Sequence, residues 1–303
     1  MSGFVLIVLW MMILMLAFPS MPVTHNENNK FCIKWNWALV AILPMILLIG
    51  FRENVGDTGS YTHFFWGLPD NFKELLELLP TEKKDKGFTL LSGIIKIVFG
   101  SNETVFLLIL AFVQGFCLVK IYRRYAESFI WSIFLFIISA DYISWMCNGI
   151  RQFTAVTIIF AGTNLILQKR YFRMVLLILL AATIHGSALL MRPIIFIVQG
   201  KAMNKKTILV IFFSLLILMF VGQFTDLLDV LLSDTQYTNV VSDWKSWDDN
   251  GTNPLRVALF AIPSILAIIG LKHIRYADDK MINLCVNMSI VSTGIYIISS
   301  REV

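Results

Sequence analysis

Apolar blocks of about 15 to 20 residues recur along this chain, and their recurrence constrains it more than any motif does. A helix needs about 20 such residues to cross a hydrocarbon core about 30 Å thick. The sequence is 57% hydrophobic and 15% charged, against roughly 45 to 50% and about 25% in an average soluble domain. A water-soluble globule does not fit that balance. The pattern reads as an all-α, polytopic transmembrane helical bundle, a single integral membrane domain over residues 1–303.

Nine spans are expected, at 3–18, 35–51, 104–119, 129–146, 153–167, 172–191, 207–224, 255–271 and 281–299. Two shorter apolar pieces, 88–100 and 192–200, are expected as re-entrant or tilted segments, so the range is nine to eleven. No Lys or Arg precedes the first block and no small-residue cleavage site follows it, so it reads as a retained span and not a signal peptide. Lys and Arg are retained on the cytoplasmic side. With the N-terminus outside, the inner segments are 19–34, 120–127, 168–173, 201–206 and 272–280, which hold 14 basic and 4 acidic residues; the rest of the chain holds 11 basic and 16 acidic. Keeping 201–206 inside requires 172–200 to cross twice, with His185-Gly186 and Arg192-Pro193 as the break points.

That orientation leaves long outer loops at about 52–87 and 225–254. The first contains a mixed-charge amphipathic stretch, 70–86, suited to a helix lying along the membrane surface. The second carries six aspartates (Asp226, Asp229, Asp234, Asp243, Asp248, Asp249) with Trp244 and Trp247.

Other classes lose support. The net charge of +5 comes from short basic clusters between apolar blocks, with no basic face, so nucleic acid is not an expected partner. Cys32, Cys117, Cys147 and Cys285 show no CxxC spacing and read as apolar packing. P-loop, HExxH, GxSxG and DxD patterns are lacking, so no metal and no cofactor is expected.

The informative residues are arginines at the outer ends of spans, where the orientation rule gives them no reason to be: Arg52, Arg151 and Arg192. An Arg within hydrocarbon costs about 2.5 to 3.5 kcal/mol on insertion scales and usually faces a partner or a watery cavity. A guanidinium binds phosphate oxygens in pairs, so three of them point to a phosphate or diphosphate; the alternative is that each snorkels or pairs with a carboxylate such as Glu53. In the run from Arg52 to Tyr61, Gly56 and Gly59 permit a tight turn, after which Asp57, Tyr61 and Phe64 or Phe65 share a helix face. Asp57 then either caps that helix or serves as a base or sugar ligand. Asn148, Arg151 and Gln152 cluster at one span mouth, with Tyr142 and Trp145 offering an aromatic rim. His185 either satisfies a carbonyl or acts as a general base; on an unbroken helix it would lie about 10 Å from Arg192 along the axis.

In these stretches the chain resembles the EpsG/Wzy-type family of bacterial polysaccharide polymerases. The matching segments are FRENVGDTGSY (51–61), KDKGF (84–88), NGIRQFTAVTIIFA (148–161), LAATIHGSALLMRPIIF (180–196), VQGKAMNKKT (198–207), TQY (235–237) and NPLR (253–256), in order. The resemblance implies a multi-pass enzyme of the bacterial cytoplasmic membrane. Its activity would be a metal-independent glycosyltransferase that joins undecaprenyl-pyrophosphate-linked oligosaccharide repeats on the outer face, during exopolysaccharide or capsule synthesis. Membrane lipid and other polysaccharide assembly proteins are its implied partners. Arg52, Asp57, Tyr61, Arg151, Gln152, His185 and Ser187 stand at the matching positions. The chain ends at Arg301-Glu302-Val303 without the family's Gly-Arg-Leu-Pro segment, so a shortened member is expected. The expected catalytic residues are His185 and Asp57, with Arg52, Tyr61, Arg151, Gln152, Ser187 and Arg192 holding substrate. A glycolipid flippase, a polysaccharide acyltransferase and a truncated inactive member are the alternatives.

Overall fold

The computed structural model describes residues 2–17, 23–25, 31–139, 141–220, 222–223, 227, 230 and 252–300. They are almost wholly helical, in line with the all-α expectation, apart from a short antiparallel hairpin of β1 (Val23–His25) and β2 (Phe31–Ile33). The chain packs as two compact units, residues 1–189 and 190–303.

In the first unit α1 (Ser2–Ala17) packs beside α2 (Trp35–Gly50). Ala38, Ala41, Ile42, Met45, Ile46 and Ile49 of α2 are buried at three- and four-residue spacing, the stripe of a helix with one packed face. That face meets α6 (Glu103–Tyr125), the long axis of the unit. Asn102 caps α6 by accepting the Val105 N–H, Glu103 lies in its first turn, and Arg123 and Arg124 close its last, all in accord with the helix dipole. Between them come α3 (Thr58–Trp66), α4 (Phe72–Leu78) and α5 (Lys86–Phe99); beyond lie α7 (Phe129–Ile138), α8 (Asp141–Cys147), α9 (Ile150–Ala161), α10 (Thr163–Leu167) and α11 (Tyr171–Ile184).

The second unit holds α12 (Met191–Ile197), α13 (Lys205–Met219), α14 (Pro254–Ile269), α15 (Leu271–Ala277) and α16 (Lys280–Ile298). Both α13 and α14 pack along α16. Two asparagines of α16 clamp the 198–203 turn: Asn283 Oδ1 accepts the Ala202 N–H at 2.9 Å, while Asn287 accepts from Met203 and donates to Val198 O, each at 2.9 Å. Hydroxyls of Ser264, Ser289 and Thr293 join α14 to α16 at 2.8 and 3.0 Å.

The nine expected blocks are helical, but their continuity differs from the sequence expectation. Among the described residues, α6 and α16 are long and apolar enough to cross a membrane, and the number reaches four if the bent pairs α7–α8 and α14–α15, angled at 71° and 68°, each form one span. The helices α1, α2, α9 and α11 are shorter apolar segments of 10–17 residues. The breaks have local causes. Gly162 ends α9, and Gly270 separates α14 from α15. The 172–191 block stops at His185, whose backbone is extended (φ −154°, ψ 121°), and Gly186–Leu190 continue as a 3-10 turn. Pro193, expected as a break, sits in the first turn of α12, where a missing N–H costs nothing.

The stretch 70–86, expected on the outer side, also differs from the expected surface helix. Only α4 is helical there, capped by the Asn71 side chain on the Glu74 N–H, and the chain then turns inward to Asp85. The 225–254 loop with its six aspartates lies almost entirely outside the described residues, as do TQY (235–237) and the C-terminal Arg301-Glu302-Val303.

Candidate active site

Two glycines set the site. Gly56 (φ +58°) and Gly149 (φ +61°) hold left-handed turns that an L side chain rarely adopts, and an added Cβ on Gly56 would overlap Asn148. The turns are stitched together across 91 and 92 residues of chain: the Asp57 N–H donates to Asn148 Oδ1 at 3.1 Å, and the Gly149 N–H donates to Asp57 Oδ2 at 3.1 Å. Asp57 begins α3 without capping it through its side chain. Its carboxylate is spent instead on joining the two segments, and Oδ1 has no hydrogen bond among the described residues.

Above this clip a cavity of about 330 Å³ is lined by Asp57, Ser60, Tyr61, Phe64, Phe88 and Arg151. Asp57, Tyr61 and Phe64 share the face expected from their spacing, whereas Phe65 turns into the core and stacks on Phe106, ring centres 4.4 Å apart. The aromatic rim is therefore Tyr61, Phe64 and Phe88. Tyr142 stacks on Phe136 at 4.8 Å, and Trp145 lies against Gly149, so neither rims the cavity as anticipated. The Arg151 guanidinium lies 5.7 Å from the Tyr61 ring centre and 5.9 Å from that of Phe88, within cation–π range.

Arg151 is not the uncompensated cation that its position in the sequence implies. Its Nη1 donates to Asp85 Oδ2 at 3.0 Å, where Asp85 is 5% exposed and Arg151 35%. Asp85 Oδ1 accepts the Gly186 N–H at 3.3 Å, and His185 Nδ1 stands 3.5 Å from Oδ2, close enough for electrostatic attraction but outside hydrogen-bond geometry. Burial pushes the Asp85 carboxyl upward, but contact with His185, the Arg151 charge and the Gly186 amide outweigh it and hold the group below the ordinary aspartate range. Nε and Nη2 of Arg151 have no hydrogen bond among the described residues.

Sequence reasoning assigned no role to Asp85. It stands in a run of alternating charges, Glu82-Lys83-Lys84-Asp85-Lys86, that reads as a solvated face. The signal was its place inside the KDKGF motif, directly ahead of α5. Its left-handed backbone (φ 55°), tolerable for Asp, turns the carboxylate away from capping α5 and toward Arg151.

The remaining expected residues distribute differently. His185 does not line the cavity; it ends α11 behind Asp85. Arg52 pairs with no carboxylate among the described residues, Glu53 included: Nε donates to Thr58 Oγ1 at 2.8 Å and Nη1 to Ile49 O at 2.7 Å, bracing the turn between α2 and α3. Burial draws its pKa below the ordinary arginine value, with Cys147 opposing. Gln152 and Ser187 are half-buried, and their side chains make no hydrogen bond among the described residues. Arg192 is exposed on α12 in the second unit, and the broken helix removes the shared face with His185 on which their pairing rested.

These features define the class: a helical membrane protein in which α3, α5 and α9 present an arginine, a carboxylate and aromatic rings in one cavity. A family model confirms the resemblance: it matches residues 35–302, and the chain belongs to the EpsG family. Membership points to a polysaccharide polymerase-like role in a membrane. No curated protein and no solved structure matches the chain.

Proposed function

We propose that the cavity beside Arg151 binds the diphosphate of a lipid-linked oligosaccharide and that the protein joins such oligosaccharides into a polymer on the outer face of the bacterial cytoplasmic membrane, with its N-terminus outside. The observation that carries this reading is the Arg151 guanidinium: buttressed by Asp85, seated against Tyr61 and Phe88, and with Nε and Nη2 free for oxygen ligands at the cavity wall. A volume of about 330 Å³ lies at the small end of the roughly 300–1,000 Å³ usual for ligand sites. It suits a diphosphate with its first sugar, the rest of the repeat extending outward.

The reaction follows from that seating. A hydroxyl of an acceptor glycan attacks the anomeric carbon attached to the diphosphate; the new C–O bond forms as the bond from that carbon to the diphosphate oxygen breaks. Negative charge grows on the leaving diphosphate, where the guanidinium stabilises it. The hydroxyl proton passes to Asp57, whose Oδ1 is free on the same wall, and from there to water. His185 then acts through Asp85, holding the carboxylate that positions Arg151. Tyr61 and Phe64 offer ring faces to sugar. Gln152 and Ser187 are secondary candidates for contacts along the glycan, while Arg52 serves by bracing the turn that carries Asp57.

The test is incubation of purified protein with a lipid-diphosphate-linked repeat and separation of products by size. A ladder that disappears in Arg151→Ala and falls by about 10²-fold or more in rate in Arg151→Lys, which keeps the charge but not the fork, is expected. Unaltered glycolipid moved across a vesicle membrane would mean a transporter, and a mass gain of one acyl group an acyltransferase; either overturns the reading, as does a normal ladder from Arg151→Ala.

A further inference from the structure

A second cavity, of about 600 Å³, opens toward the other end of α6 among α2, α6, α9, α10 and α11. Phe106, which meets Phe88 of the first site, and Lys120, which lines the second, are 14 residues apart on α6, or about 21 Å along the axis. The two cavities are therefore separate.

Its lining mixes two chemistries. Part is apolar, with Ile158 of α9 and Leu177 of α11. Part is cationic, with Lys120, Arg123 and Arg124 of α6, from a segment whose basic residues mark it as cytoplasmic by the orientation rule. Arg123 is held rigidly: Nε donates to Ile33 O at 2.6 Å and the guanidinium lies 4.9 Å from the centre of Trp35, while its terminal nitrogens have no hydrogen bond among the described residues. Lys120 is exposed and has no carboxylate partner among the described residues. Asn164 completes the polar side. Its Oδ1 already accepts two hydrogen bonds, from Tyr125 Oη at 2.7 Å and Gln168 Nε2 at 3.0 Å, so the amide is fixed with Nδ2 as a donor that no described residue uses.

We propose that this cavity binds an acidic phospholipid, its phosphodiester on Lys120, Arg123 and Asn164 Nδ2 and an acyl chain along Ile158 and Leu177. Cations and an amide donor beside an apolar wall match an anion attached to a hydrocarbon chain, and basic pockets between membrane helices recognise acidic headgroups in this way. A soluble phosphate would satisfy only the polar side.

The full chain in detergent is titrated with short-chain phosphatidylglycerol and, separately, phosphatidylcholine, and adducts are read by native mass spectrometry. Phosphatidylglycerol is expected to bind preferentially. Lys120→Gln weakens it about fivefold, the equivalent of about 1 kcal/mol for one surface cation. Asn164→Asp keeps both accepted hydrogen bonds, replaces the donor with an anion, and removes the preference. Inorganic phosphate at millimolar concentration leaves the adduct in place. Equal binding of the two lipids, displacement by inorganic phosphate, or unchanged binding in Lys120→Gln overturns the proposal; because Lys120 is exposed, that variant decides the question even if Asn164→Asp fails to fold.

Discussion

Replacing Asp85 with asparagine isolates the charge that holds Arg151. The side chain keeps its shape, and Oδ1 still accepts from Gly186, but the amide now presents a donor toward a guanidinium that is itself donor-only. Breaking a buried ion pair costs about 3 to 5 kcal/mol when the surviving charge stays buried. Here that range is an upper bound, since Arg151 is 35% exposed and can turn partly toward water, which leaves roughly 2 kcal/mol. The same loss frees the guanidinium from its position on the cavity wall. Asp85→Asn is therefore expected to lower thermal stability and to slow polymer formation by about 30-fold, about 2 kcal/mol in the barrier. The assay is a cycle of Asp85→Asn, Arg151→Ala and the double variant read by thermal unfolding, with polymer formation measured for Asp85→Asn beside the wild-type chain, since Arg151→Ala leaves none to compare. If Asp85 acts through Arg151, the double variant is no worse than Arg151→Ala, and the coupling approaches the whole effect of Asp85→Asn. Losses that add to within about 0.5 kcal/mol would refute the linkage and make Asp85 a purely structural residue.

Two further outcomes are expected. Gly149→Ala must hold a left-handed turn against the Trp145 ring, at a cost of about 1 to 2 kcal/mol; differential scanning fluorimetry checks it, and a wild-type melting temperature would mean that the 56–57 and 148–149 clip does not require this turn. The depressed Asp85 pKa contributes stability that is complete above the unfolded value of about 3.9 and is lost as pH falls through the lower folded value. Melting curves from pH 6 to pH 3 should thus fall more steeply for the wild-type chain than for Asp85→Asn, and parallel slopes would contradict the assignment.

Composition and block length determine that this is a helical membrane protein, because a hydrocarbon core accepts few other ways of satisfying a backbone. The residues that carry the resemblance, from FRENVGDTGSY to IHGSALL, likewise fall together in the candidate site: Asp57, Tyr61 and Arg151 line one cavity, with His185 close behind Asp85. Periodicity runs through a glycine or a histidine without registering the break, so helix continuity at Gly162, His185 and Gly270 was decided by the tertiary fold. So was the partner of Arg151. A carboxylate in a run of lysines looks solvated from its neighbours in sequence, and only packing against residues 66 and 100 positions away made Asp85 a buried counter-ion to Arg151 with His185 beside it. Local sequence encodes helices and their polarity; which charges lose their water depends on what the folded chain lays over them.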